Sequence, residues 1–207
     1  IKANILANRQ DKGASAEADK ALAIDPKMGF AWAAKGASLL QSGQHKEAAA
    51  ALDKAIEFDP KNTRLLIQRA SARLTGGDFA GALQDADAAI AINPLPVAKA
   101  LRGTALAGVG RDTDALAELE PIDPSLLAQL TILELRARLR LAKGQREAAR
   151  SDLDLQIAQK PNAMLWVLRS GTWAPTEGDR ADADLEDQGG RVHAARHLPD
   201  GGEGAVG

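Results

Sequence analysis

The 207-residue chain has no cysteine and no tyrosine, and its only aromatics are three phenylalanines and three tryptophans. Without cysteine it has no disulfide, no thiolate nucleophile and no thiolate zinc site. So few aromatics leave no stacking platform for bases. A formal net charge of −2 supplies no long-range attraction to nucleic acid or to an anionic membrane. No apolar run approaches the length that spans a bilayer, so membrane insertion is not expected. The chain begins at Ile1 rather than methionine. It is therefore readable as a fragment of a longer protein, and the missing signal peptide says nothing about compartment. Strand signals are equally scarce: no run alternates β-branched or aromatic residues with polar ones.

What fills the chain instead is alanine, about a fifth of all residues and far above ordinary usage. Alanine is the best helix former and the smallest, so helices rich in it approach closely. Apolar residues recur at helical spacing, and glycine or proline punctuates them every dozen or so residues. The pattern reads as all-α. Pro26, Pro60 and Pro94 are spaced by 34 and 34 residues, each behind an acidic or amide residue (Asp25, Asp59, Asn93) that ends an alanine-rich helix. Pro161 follows 67 residues later, one short of two further periods, with Pro124 dividing that interval unequally. Proline stops one helix and suits the opening of the next. Midway stand Ser42-Gly43, Gly76-Gly77, Val109-Gly110 and Lys143-Gly144, where a left-handed glycine can end the first helix of each unit.

In unit 29–62, Trp32, Gly36, Ala48, Leu52, Ala55 and Pro60 form the row that the next units echo. Unit 63–96 repeats it with Leu66, Ala70, Ala82, Ala86, Ala89 and Pro94. A shortened unit, 97–126, keeps Ala100, Gly103, Ala115 and Leu119, and 127–163 keeps Ala137, Gly144, Ala149, Leu153 and Pro161 with its first helix extended at the start. Residues 1–28 hold a partial unit with Ala14, Ala18, Ala21 and Pro26 in register. This row resembles the tetratricopeptide repeat, a 34-residue helix–turn–helix. The resemblance covers residues 1–163 and implies a right-handed α-solenoid of antiparallel helix pairs, helix A then helix B, stabilised by stacking neighbours. Residues 164–173 read as a capping helix. The stretch 174–207, with seven glycines and four apolar residues larger than alanine, reads as a flexible tail.

Small residues of helix A (Gly36, Ala70, Gly103, Ala137) are expected to let helix B come close. Arg69, Arg102 and Arg136 share one place in helix A, and Asp85, Glu118 and Asp152 stand sixteen residues later each time. The expectation is an ion pair across each hairpin, worth about 0–1 kcal/mol if exposed. The first full unit has Lys35 and Ala51 instead. Arg73 and Arg140 stand where the family usually places an aromatic, which predicts looser packing in those units.

Catalytic motifs are missing. His193 and His197 sit four residues apart but lack the glutamate of a zinc-protease helix and an evident third ligand. Asp179, Asp182, Asp184, Glu186 and Asp187 crowd like a calcium loop without its glycine and terminal glutamate. His45 is expected in an exposed turn. Neither an enzyme nor a cofactor is expected.

The resemblance implies a protein-interaction scaffold whose helices A line a concave groove for a partner's peptide or helix. Row by row, the groove positions are Phe30, Ala33, Ala37 and Gln41; Arg64, Ile67, Ser71 and Thr75; Val97, Ala100 and Thr104; Glu134 and Arg138. Arg64 and Arg138 are the expected anchors for acidic groups. Ala33 and Ala37 stand where chaperone-binding members carry a lysine and asparagine clamp, so a chaperone tail is not the expected ligand. The alternatives are a structural or self-associating module, or an accessory domain of a larger protein.

Overall fold

The computed structural model describes residues 14–173, and among them are eleven α-helices and no strand. A first helix, α1 (Ala14–Ile24), precedes three pairs: α2 (Gly29–Gln41) with α3 (His45–Phe58), α4 (Thr63–Thr75) with α5 (Phe79–Ile92), and α6 (Pro96–Gly108) with α7 (Asp112–Leu119). Then come α8 (Pro124–Gln129), α9 (Leu133–Ala142), α10 (Arg146–Gln159) and α11 (Ala163–Ser170), closed by a 3-10 turn over Gly171–Trp173. Helices pack chiefly on their sequence neighbours, so the chain is an α-solenoid of antiparallel pairs.

The turns follow from backbone chemistry. At the end of each helix A a glycine takes positive φ: Gly43, Gly77, Gly110 and Gly144, at 74°, 85°, 80° and 75°. At the first of these, Gly43 N–H donates to the Leu40 carbonyl and Gln44 N–H to that of Leu39, at 3.1 and 2.9 Å. The other three repeat the pattern, which satisfies carbonyls that a helix end otherwise orphans. Pro26, Pro60 and Pro94 lie in the turns before the helices rather than at their first residues; Pro96 and Pro124 take the N-terminal helical positions. Trp32 ties one such turn down, its indole Nε1 donating to the Pro26 carbonyl at 2.9 Å.

Small helix A residues do admit helix B, and the partner is a leucine as much as an alanine. A β-carbon on Gly36 would stand 2.7 Å from Leu52 Cγ, and one on Gly103 would stand 2.8 Å from Leu119 Cγ. Both leucines are completely buried. Gly171, at the corresponding place just past the end of α11, has nothing within 4 Å of its β-carbon position. α11 buries Leu165 against Ala137, Ala149 and Leu153, while Met164, Trp166 and Val167 stay exposed.

The fourth unit departs from expectation. In place of one extended helix A there are two helices, α8 and α9, broken at Leu130–Ile132. The break uses the same hydrogen bonds as the glycine turns, Thr131 N–H to Ala128 and Ile132 N–H to Leu127, at 3.0 and 2.8 Å. Thr131 there has φ of 59°, an unfavourable conformation for a β-branched residue. What holds it is the most extensive cluster of buried side chains, running from Leu116 and Leu119 through Ile122 and Leu127 to Ile132 and Leu133. The leucine-rich junction makes up for the last turns that α7 lacks.

Two stability changes follow. Gly36→Leu should cost about 1–3 kcal/mol by overpacking against Leu52. Thr131→Gly should stabilise by about 0.5–1 kcal/mol, because relief of the left-handed strain exceeds glycine's added unfolded-state entropy. Urea denaturation reads both, and a neutral result at either position refutes the contact assigned to it.

Candidate functional site

At 100° per residue, positions two apart on a helix point to nearly opposite sides. Each helix A therefore separates its groove positions (33 and 37, 67 and 71, 134 and 138) from the cation between them (35, 69, 136). The cation side fixes how the helices sit. Arg69 grips Asp85 through two bonds, Nε to Oδ2 at 2.9 Å and Nη2 to Oδ1 at 2.5 Å. Arg102 grips Glu118 and Arg136 grips Asp152 in the same way, each across sixteen residues. Lys35, with no acid ahead of it, reaches back to Asp19 at 2.7 Å. Backward contacts recur: Arg69 also reaches Asp53 at 2.6 Å, Arg102 reaches Asp87 at 3.5 Å, and Arg169 pairs with Asp154. Arg69 and Arg102 thus tie α4 and α6 each to two helices B.

These pairs are not the exposed bridges expected. Asp85, Arg136 and Asp152 are buried. Arg73 and Arg140, predicted to loosen their units, pack as second cations on the same carboxylates, at 2.9 Å from Asp85 and 2.7 Å from Asp152. Arg140 also bonds Glu120, and Arg73 approaches Asp53. A two-fold-paired carboxylate fills the place of an aromatic because its charge is fully compensated. Arg136 goes further. Its Nη1 donates to the carbonyls of Leu119 and Ile122 at 3.1 and 3.2 Å, closing the end of the shortened α7. Burial opposes the charge on Arg69, yet its hydrogen bonds to Asp85 and Asp53 and their attraction raise its pKa above the ordinary arginine value. The hydrogen bonds that Arg102 and Arg140 donate to Glu118 and Glu120 do the same for those two arginines. The hydrogen bond from Arg140 in turn holds the Glu120 carboxyl below its ordinary range.

On the groove side, Phe30, Ala33, Ala37 and Arg64 converge on a cleft of about 420 Å³ between α2 and α4, floored by Ala55 at the end of α3. Phe58, Asp59, Asn62, Leu65 and Gln68 complete it and were not anticipated. A signal for Phe58 exists: a large apolar residue precedes the Asp-Pro or Asn-Pro pairs at 25–26, 59–60 and 93–94, as Ile24, Phe58 and Ile92, and all three are exposed, whereas Ile122 before Asp123-Pro124 is buried. The other groove positions lie outside this cleft. Gln41, Thr75 and Arg138 are exposed, and Ile67, Ser71, Val97, Thr104 and Glu134 are half-buried. Ala100 is a correction: it is 0% exposed, packed in the cluster of Leu127 and Leu133, and presents nothing to a ligand. Thr75 and Thr104 spend their hydroxyl protons on the carbonyls four residues back, at 3.0 and 2.9 Å. Arg138 is held by Glu134 at 2.5 Å.

His45 is a second correction. It is half-buried, with Nδ1 unbonded, lining a crevice of about 280 Å³ with Asp53, Arg73 and Asp78. Gln156, where alanine stands in other units, is buried with Oε1 unbonded. Among the described residues no group of three His, Asp or Glu could hold a metal ion, and no helix is long and apolar enough to cross a membrane. His193, His197 and the acidic stretch 179–187 lie outside the described residues.

The family model for the tetratricopeptide repeat matches residues 29–62, the unit that carries Trp32, Gly36 and most of the cleft's lining. Residues 29–62 are a tetratricopeptide repeat. Solved structures extend the likeness along the array. YrrB, described as a tetratricopeptide-repeat protein with an unusual peptide-binding site, is 25% identical, covers 79% of this chain and 85% of its own, and superposes with a TM-score of 0.61. PilF of Pseudomonas aeruginosa is 22% identical over 91% of this chain and 84% of its own, at 0.64. A tetratricopeptide-repeat protein of Parabacteroides merdae is 22% identical over 90% and 75%, at 0.60. No curated protein sequence matches the chain. The tetratricopeptide-repeat fold is in general a protein-interaction scaffold.

Arg136→Met leaves Asp152 with Arg140 alone and strips the Leu119 and Ile122 carbonyls, so it should cost about 3–5 kcal/mol. Adding Asp152→Asn should return part of that loss, since the buried charge goes too. A denaturation midpoint unmoved by Arg136→Met would contradict this account of the array.

Proposed function

We propose that the chain binds an extended segment of a partner protein along its row of helix A faces, without catalysis and without a cofactor. The observation that carries this is the cleft: four of the groove positions, from two successive helices A, converge on one concavity of about 420 Å³. Small side chains at Ala33 and Ala37 leave room for a main chain, and Arg64 supplies a charged anchor. The peptide-binding site described for YrrB supports a peptide as ligand. Arg138, held by Glu134, contributes less than Arg64 because a ligand must compete with that pair.

Affinity capture with the parent chain beside an Arg64→Glu, Arg138→Glu double variant tests the reading. The variant should lose the partners that the parent retains, with an unchanged melting curve. Identical partners on both overturn the groove assignment.

A further inference from the structure

We infer that the cleft between α2 and α4 is an anchor pocket for a partner segment bearing one bulky apolar side chain closely followed by one carboxylate. This inference rests on the groove reading above and sharpens it to a ligand chemistry.

The apolar half of the pocket comes first. Its inner wall is Ala33, Ala37 and Leu65, and its rims are Phe30 and Phe58, which leave 47% and 46% of their surface in water. Both rim rings face solvent in a chain with only six aromatics, beside a concavity within the range of roughly 300–1,000 Å³ usual for ligand pockets. Covering those rings removes apolar surface from water, which is the driving force for seating a leucine-like or aromatic side chain.

The charged half is set by elimination among the arginines. Arg69, Arg73, Arg102, Arg111, Arg136, Arg138, Arg140 and Arg169 are in ion pairs, and Arg146 and Arg150 have partners as well. Arg64 lines the pocket, is exposed, and has no hydrogen bond or ion pair among the described residues. It also stands in the first turn of α4, where the positive end of the helix dipole adds to its potential. A carboxylate there gains a charge-assisted bond without first breaking one. Asp59, on the same lining and bonded by Asn62 Nδ2 at 2.8 Å, limits the number to one. A run of acids would meet its charge, and Ala33 and Ala37 offer no second cation. Gln68 leaves an amide for the segment's main chain.

Selection of random twelve-residue peptides displayed on phage against the whole chain tests this. Enriched peptides should pair Leu, Ile, Met, Phe or Trp with Asp or Glu within two positions. Synthetic copies, acetylated and amidated, should bind about tenfold or more weakly to Arg64→Gln and to Ala37→Leu, which fills the cleft, but equally to Arg138→Gln. Enriched peptides that lack the acid, or that ignore Arg64→Gln while losing affinity to Ala37→Leu, overturn the inference and leave the groove reading standing. Failure of any peptide to enrich, or binding indifferent to both Arg64→Gln and Ala37→Leu, overturns both. Thermal melting of each variant separates lost binding from lost fold.

Discussion

Sixteen residues separate two recurring kinds of contact between a helix A and its own helix B. Gly36 meets Leu52 at that distance and Gly103 meets Leu119, through a gap with no room for a methyl group. Arg69, Arg102 and Arg136 meet Asp85, Glu118 and Asp152 at the same distance. A steric contact and an ionic one therefore read a single register, and a slip of one residue would break both together. Positive-φ glycines make the hairpin possible; the sixteen-residue register makes it specific.

The same register explains how an array so poor in aromatics is packed. Where the family usually places a large ring, two units use leucine, Leu39 and Leu106, and both are buried. The other two use Arg73 and Arg140, which lay their stems along the hairpin and join the first arginine on one buried carboxylate. Neither solution needs a tyrosine. The ionic one demands more, because a buried carboxylate left with one partner too few is costly. Backward contacts to Asp53, Asp87 and Glu120 carry the network across units, so what holds one hairpin also holds its neighbours.

Irregularity is concentrated in one place. Helix α7 stops short at Leu119, and the chain then brings in Ile122, Leu127, Ile132 and Leu133, while Arg136 takes the carbonyls of Leu119 and Ile122. That junction covers Ala100 in the third unit. The regular first and second units keep their helix A faces open, and there the cleft forms. Position along the solenoid therefore decides which helix A faces stay open.

Much was legible before any coordinates: the 34-residue period, the glycine turns, the helix pairs and the three arginine–acid partners all lie in spacings. Four cleft residues, Phe30, Ala33, Ala37 and Arg64, were legible as well, since a repeat carries each position from one row to the next. Other features were not. The break at Thr131, the burial of Ala100 and Arg136, and the second role of Arg73 and Arg140 depend on neighbours remote in sequence. Spacing names the residues that share a face, because helical periodicity is a local property. Whether that face is open, and whether an arginine there is spent like Arg138 or, like Arg64, unpaired among the described residues, is decided only when other helices take their places. Desolvation and charge compensation belong to the assembled surroundings rather than to a residue's position in its own helix.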